Sequence, residues 1–278
     1  MADATIFDSR AGERIRDLLE QGSVVVITGA GLSTSSGIPA YRDREGNWKG
    51  AQPVKHQDFL HLESARQRYW ARSFFGWPTV AAAAPGRGHH ALARLERAGR
   101  IDLVITQNVD GLHRKAGSGS VLELHGGLDQ VICMSCQVRH PRASVQEWLD
   151  AANPHLAGQP APVAPDGDAR VAVELYAGFR VPDCPACGGM LKPDVVFFGD
   201  SVPKERVASA LAAVAAAAGL VVVGSSLMVY SGFRFVEFAR REGKPVMAIN
   251  LGATRADHLL EAKVEQDCDD FLDALRLG

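Results

Sequence analysis

Four of the five cysteines fall into two C-x-x-C knuckles, Cys133-Met-Ser-Cys136 and Cys184-Pro-Ala-Cys187, with 47 residues between them. Tetrahedral zinc takes four soft or borderline ligands, and two knuckles supply four thiolates while the chain between them closes a loop. That loop is longer than in compact zinc ribbons. The same cysteines could instead form redox dithiols or disulfides, a reading that a cytosolic chain disfavours. Four protein sulfurs leave no open coordination position, so the expected zinc is structural. His140 is a further donor that such a site does not need.

A second kind of chemistry is written in the loops. Gly29-Ala-Gly31 directly follows the apolar run SVVVIT, a pattern that lets backbone approach a phosphate with a helix N-terminus aimed at the same anion. The third glycine of the dinucleotide fingerprint is missing from its place, the next one being Gly37, so a hydride-transferring G-x-G-x-x-G reading is weak. The hydroxyl-rich stretch from Leu32 to Arg42 reads as a flexible lid over a ligand. Gln107-Asn-Val-Asp-Gly111 sets two amides and a carboxylate at a strand end, suited to sugar hydroxyls or a carboxamide, although the same residues also make an ordinary Asx-type turn. His125, between VLEL and Gly126-Gly127, titrates near neutral pH and is the best-placed general base.

The elements that must position these residues alternate. Apolar, β-branched runs at 23–28, 101–106, 220–224 and 245–250 are preceded by helical patterns, which is the signature of a parallel sheet covered on both faces. Ligands of such sheets bind beyond the carboxyl ends of the strands near a topological switch point, so GAG, QNVDG, GSS and NLG are expected to line one crevice. Two stretches interrupt the alternation. Residues 48–85, with RQRYWARSFFGWP, read as a helical insertion, and residues 129–189, with all four paired cysteines, read as a small module.

A chain of 278 residues with 46% hydrophobic and 22% charged residues can bury a full core, which excludes disordered and disulfide-scaffold classes. With 30 Lys+Arg against 32 Asp+Glu and no basic block, bulk charge gives no affinity for nucleic acid or anionic membrane. The run VASALAAVAAAAGLVVV (207–223) is better explained by a helix followed by a buried strand than by a membrane span. The acidic start MADATIFD lacks an apolar export core, and the expected compartment is the cytoplasm.

Taken together, GAGLSTSSGIPAYRD (29–43), TQNVDGLH (106–113), LHG (124–126), the two knuckles, KPDVVFFGD (192–200), GSSLMVYS (224–231) and NLG (250–252) resemble the sirtuins, the NAD-dependent protein lysine deacylases. They occur in family order over nearly the whole chain. RQRYWARSFFGWP and VAPDGD (163–168) look more specifically like the class II branch, which includes the mitochondrial sirtuin 4. Tyr41 departs from the Phe of many family members.

The resemblance implies a Rossmann-like α/β domain of about residues 1–47, 86–128 and 190–278, with a smaller lobe built from a helical part, 48–85, and a zinc part, 129–189. NAD would lie in the cleft, and an acyl-lysine peptide would insert as an extended strand. Carried onto this sequence, Gly29, Ala30, Gly31 and Ser33 face the NAD phosphates, and Tyr41 and Arg42 belong to the cofactor loop. Gln107 and Asn108 hold the nicotinamide ribose, while Val109 and Asp110 receive the carboxamide. Gly224, Ser225 and Ser226 face the phosphates and adenosine, and Asn250, Leu251, Gly252 and the backbone around Cys268 the adenine end. Val196, Phe197 and Phe198 line the substrate channel.

The implied chemistry begins with attack of the acyl carbonyl oxygen on the ribose carbon as nicotinamide leaves, giving an alkylimidate. His125 then helps a ribose hydroxyl attack that intermediate, and the products are free lysine, nicotinamide and O-acyl-ADP-ribose. Tyr69 and Arg72 have the Y-x-x-R spacing of sirtuins that prefer acidic acyl groups, and on a helix they would share a face. A cation packed against aromatics explains the same pair. The rival functions are mono-ADP-ribosyl transfer to a protein and a non-catalytic NAD-sensing zinc scaffold.

Overall fold

The computed structural model describes residues 9–40, 42, 43, 47, 49, 53–156, 178–275 and 277. Tyr41 and the 163–168 segment lie outside the described residues. Helix α1 (Arg10–Gln21) starts where the Ser9 hydroxyl accepts the Gly12 amide at 3.1 Å, an N-cap, and stops at Gly22, whose φ of 81° is left-handed. It leads into β1 (Val24–Thr28), five consecutive buried residues. The chain then makes a 3-10 turn over Ala30–Ser36, helices α2 (His56–His61), α3 (Glu63–Ala82) and α4 (Arg87–Arg97), strand β2 (Ile101–Thr106), α5 (Leu112–Lys115) and β3 (Val121–Glu123).

Strands β4 (Gly126–Cys133) and β5 (Arg139–Pro141), helix α6 (Arg142–Ala152) and strand β6 (Leu191–Val195) follow. The last stretch holds α7 (Lys204–Ala216), β7 (Gly219–Val223), α8 (Tyr230–Arg241), β8 (Val246–Ile249), β9 (Ala262–Val264) and α9 (Cys268–Ala274). The alanine-rich run thus divides into α7 and β7, and no described helix is long and apolar enough to cross a membrane.

Six strands form one parallel sheet in the order β3-β2-β1-β7-β8-β9. Side chains alternate across it. Val24, Val26, Val221 and Val223 pack under α1, α4 and α9 with Leu19, Leu92 and Phe271. Val25, Ile27, Leu220 and Val222 pack under α7 and α8 with Val214, Phe235 and Val236. Both faces are covered, which is why these strands read as unbroken apolar runs. Thr28 is in register with both Thr106 and Val223, and Val223 with Ile249. Four strands therefore end level, with the order reversing at β1, and their following loops emerge side by side.

The other sheet is antiparallel, in the order β5-β4-β6, and packs with α3 and α6 around Phe59, Trp70, Val131, Leu149 and Phe179. Within the stretch 48–85 expected to be helical, α3 runs from Glu63 through Pro78 to Ala82. Proline removes the bond to the carbonyl four residues back. That carbonyl, of Phe74, lies 3.4 Å from the Gln146 side-chain nitrogen, which donates to it across from α6. Strands β3 and β9, three residues each, carry the half-buried Glu123 and Lys263, so neither reads as a strand in the sequence, although VLEL shows as a short apolar run.

Candidate active site

The loops after β1, β2 and β7 are tied to one another by side chains. Gln107 Nε2 donates to the Ser225 hydroxyl at 2.7 Å and to the Thr28 carbonyl at 3.1 Å. Asn108 Nδ2 donates to the Gly29 carbonyl and to Ser33 Oγ, both at 3.0 Å, and Ser33 Oγ–H donates to Asp110 at 2.7 Å. The backbones touch as well. A Cβ on Gly31 would stand 2.8 Å from the Gly224 carbonyl oxygen, and one on Gly29 would stand 2.7 Å from Ser225 Cβ. Glycine is required there by close approach, since no side chain fits.

These loops wall a cavity of about 860 Å³, and Gly29, Ala30, Gly31, Ser33, Arg42, Gln107, Asn108, Val109 and Asp110 all line it. So do His125, Val196, Phe197, Phe198, Gly224, Ser225, Ser226, Asn250, Leu251 and Tyr69. Three expected residues are absent from its wall: Gly252, Cys268 and Arg72. Gly252, with φ 82°, shapes the turn whose carbonyl accepts from Asn250 Nδ2. Cys268 lies beneath the floor, its sulfur 3.1 Å from where a Gly224 Cβ would be, and burial pushes its thiol up to about 12. Arg72 is buried on α3. Of the Y-x-x-R pair, Tyr69 lines the cavity wall and Arg72 does not.

The glycine loop departs from expectation too. Its Gly29 and Gly31 amides are already donated, to the Val223 carbonyl at 3.2 Å and the Gly224 carbonyl at 2.8 Å. The stretch expected as a flexible lid is in its first half a 3-10 turn with Leu32 and Ser33 buried, Leu32 in the sheet core.

His125 sits between the two sheets. Its carbonyl accepts the Val196 amide at 2.8 Å, and Gly126, next in the chain, opens β4 in register with Val195. Its Nδ1 is 2.9 Å from the Gln107 carbonyl, which only accepts, so Nδ1 carries the hydrogen and Nε2 is left with its lone pair. Burial lowers the imidazole pKa, the Gln107 bond opposes that, and the Arg206 charge adds to the lowering. The base is thus neutral and able to accept at neutral pH. Nε2 lies 2.8 Å from the hydroxyl of Ser231, in the first turn of α8. Sequence reading gave Ser231 no role, and at 106 positions from His125 along the chain no spacing rule could have found it. The floor beside the base is aromatic: Phe197 packs on Phe59 and Tyr69, each at 5.1 Å, and Lys192 Nζ lies 4.4 Å from the Phe197 ring centre while donating to the Val195 carbonyl.

The four cysteine sulfurs of the knuckles lie within 4.8 Å of one another. Cys133 and Cys187 are 3.5 Å apart and Cys136 and Cys184 3.8 Å apart, much longer than a disulfide and close to the edge of a tetrahedron of sulfurs around zinc at about 2.3 Å. The residues fit one structural zinc, and His140, 3.7 Å from Cys184, stands behind a ligand.

A parallel sheet with interlocked loops at its switch point, beside a lobe with a four-thiol metal site, defines a two-sheet α/β protein with a nucleotide-type cleft. The Sir2 family model matches residues 29–231. An NAD-dependent protein deacetylase of Xanthomonas campestris pv. campestris (strain 8004) is 54% identical over 265 residues, covering 95% of this chain and 90% of the relative. One of Bordetella bronchiseptica is 55% identical over 247 residues, covering 89% and 90%. Among solved structures, a complex described as Sir2 with p53 peptide and NAD+ superposes with a TM-score of 0.73 at 29% identity, covering 94% of this chain and 95% of the other. The chain belongs to the Sir2 family.

Proposed function

We propose that the protein is an NAD-dependent protein lysine deacetylase that also accepts other acyl groups. The observation that carries this reading is the neutral His125, its Nε2 turned into a cavity between the interlocked glycine and amide loops and the Phe197 wall. The Xanthomonas and Bordetella relatives are named NAD-dependent protein deacetylases, which supports the deacetylase reading. NAD is consumed: the acyl group leaves on ADP-ribose, and nicotinamide and free lysine are released. Ala30, Ser226 and Arg42 take the phosphate side, Gln107 and Asn108 the ribose, Val109 and Asp110 the carboxamide, and Asn250 and Leu251 the adenosine side.

The acyl-lysine enters past Val196, Phe197 and Phe198, with the peptide backbone pairing as an added strand. Solved structures described as Sir2 bound to acetylated peptide and as Sir2 with p53 peptide and NAD+ support a peptide substrate. The proposed division is a large domain (about 1–47, 86–128, 190–278) and a small lobe (48–85, 129–189); the parallel sheet lies wholly in the first, while β6, within 190–278, pairs with β4 of the antiparallel sheet. The proposed branch is class II, supported by the 66–78 segment. Thiolate-held zinc fits a reducing compartment such as the cytoplasm.

The test is mass spectrometry of purified protein with NAD and a panel of acetyl-, succinyl-, glutaryl- and long-acyl-lysine peptides, with His125→Ala alongside. Loss of one acyl mass with matching O-acyl-ADP-ribose is expected, and the variant should lose on the order of 10²–10⁴ in rate while still binding NAD. ADP-ribose on protein without deacylation, or NAD bound and never consumed, would overturn the reading.

A further inference from the structure

The first turn of α8 closes on both halves of the base unit. Ser231 places its hydroxyl 2.8 Å from His125 Nε2. At the next position a Cβ on Gly232 would stand 2.5 Å from Gln107 Oε1, so the helix can press against Gln107 only because residue 232 is glycine. Gln107 in turn holds the other ring nitrogen through its carbonyl. The imidazole is therefore gripped at Nδ1 by one neighbour and at Nε2 by the next.

Resting on the deacetylase reading, we propose that Ser231 is a positioning residue that acts through His125: it holds the ring in line before the proton moves and supports the imidazolium afterwards. A hydroxyl can do both, since it donates or accepts. In the ligand-free protein Nε2 has a lone pair, so Ser231 O–H donates to it. When the ribose hydroxyl arrives it takes the place of the Ser231 O–H at the single Nε2 lone pair; its O–H bond then breaks, the proton goes to Nε2, and the electron pair left on oxygen forms the bond to the alkylimidate carbon. Nε2–H then needs an acceptor in a half-buried site, and Ser231 Oγ is within reach without itself gaining or losing a proton.

A bond to the charged ring is stronger than one to the neutral ring, so removing the hydroxyl costs the imidazolium more. The charged groups around the ring are few. Arg206 on α7 lowers its basicity; Glu123 at the end of β3 faces Arg114; Asp110 is occupied by Ser33 and by the Leu112 amide; Arg234 lines the cavity one turn further along α8. None of these offers Nε2 an acceptor.

The experiment compares Ser231→Ala and Ser231→Thr with the wild-type chain, zinc loaded. In ligand-free protein, the His125 ring titration followed by NMR, assigned by its absence in His125→Ala, should move to lower pH in Ser231→Ala and return in Ser231→Thr. With NAD and acetyl-lysine peptide, deacylation by Ser231→Ala should fall about tenfold, the size of one hydrogen bond to a charged group. Exchange of labelled nicotinamide into NAD, which precedes the base's step, should keep its wild-type rate. An unmoved titration overturns the proposal, as does equal loss of exchange and deacylation that threonine does not restore. A wild-type chain that neither exchanges nor deacylates sinks the deacetylase reading instead, while the NMR titration still decides whether Ser231 acts on His125.

Discussion

The two sheets are held together by different physics. The strands at the heart of the parallel sheet are buried along their whole length, and its order comes from apolar side chains packed on both faces by helices. The antiparallel sheet has mixed burial along β4 and only three strands, and its far end is closed by four sulfurs. A large sheet can rely on buried area alone, whereas a small one needs a staple. His125 stands at the junction, between β3 and β4, so its imidazole takes its alignment from both.

Removing zinc should separate the two regions most strongly. A structural zinc of this type contributes about 10–16 kcal/mol, as much as a whole domain's net stability. A strong chelator should therefore unfold the small lobe and abolish deacylation. Trp70, Trp77 and Trp148 lie on α3 and α6 in that lobe, so tryptophan emission should shift to the red while much of the helical circular dichroism from the parallel sheet's layers persists. Full activity in metal-free protein would show that the cysteine site does not staple the lobe.

A smaller effect should come from the parallel sheet alone. Gly31→Ala places a methyl 2.8 Å from the Gly224 carbonyl, an overpacking of about 1–3 kcal/mol. The KM for NAD should rise about tenfold for each ~1.4 kcal/mol of that cost felt by the bound state, with zinc content unchanged. An unaltered KM would mean that the loops part easily and that close approach is not what glycine supplies.

Acid should also act on the parallel sheet. His113, bonded through Nε2 to Thr28 at 2.9 Å, is held neutral by burial first and by its neighbour His89 second, its pKa depressed from 6.5 to about 3. The unfolded chain binds this proton below pH ~6.5 and the folded chain does not, so its contribution is full above that pH and is lost as pH falls toward ~3. One such group removes about 2 kcal/mol by pH 5. Urea unfolding followed by circular dichroism at pH 7 and 5 should show the loss, and His113→Gln should flatten it. The smallest effect is expected from Arg72→Met on acyl choice: with Arg72 off the cavity wall, the glutaryl-to-acetyl rate ratio should not change, and a drop in that ratio would restore the Y-x-x-R pair.

What could be read from the sequence follows the same division. The parallel sheet was legible because burial on both faces leaves continuous β-branched runs, and the cysteine site because C-x-x-C spacing is local. The shared crevice followed from level strand ends. Hidden were β3 and β9 as strands, too short and too charged to show a period even where VLEL showed as an apolar run, and the Gln146 contact from another helix that takes the carbonyl Pro78 leaves free inside the expected helical stretch. Hidden also were the commitment of the Gly29 and Gly31 amides to the β7 loop and the reach of Ser231 to His125, contacts between segments far apart in the chain. For Arg72 the helical spacing could say only that it shares a face of α3 with Tyr69, not how deep it lies; it is buried and lies off the cavity wall.

The place of β1 in the sheet also governs how the chain can be made. Its partners are β2 on one side and β7 on the other, the second pairing Val24 with Gly219. At about 5–20 residues per second, β7 leaves the ribosome tens of seconds after β1. Through that interval one edge of this fully buried strand has no native neighbour, and an unpaired apolar edge is the kind of surface that invites pairing with another chain. Synthesis of this protein thus has a built-in period of exposure, ended only when its last third arrives to close the sheet.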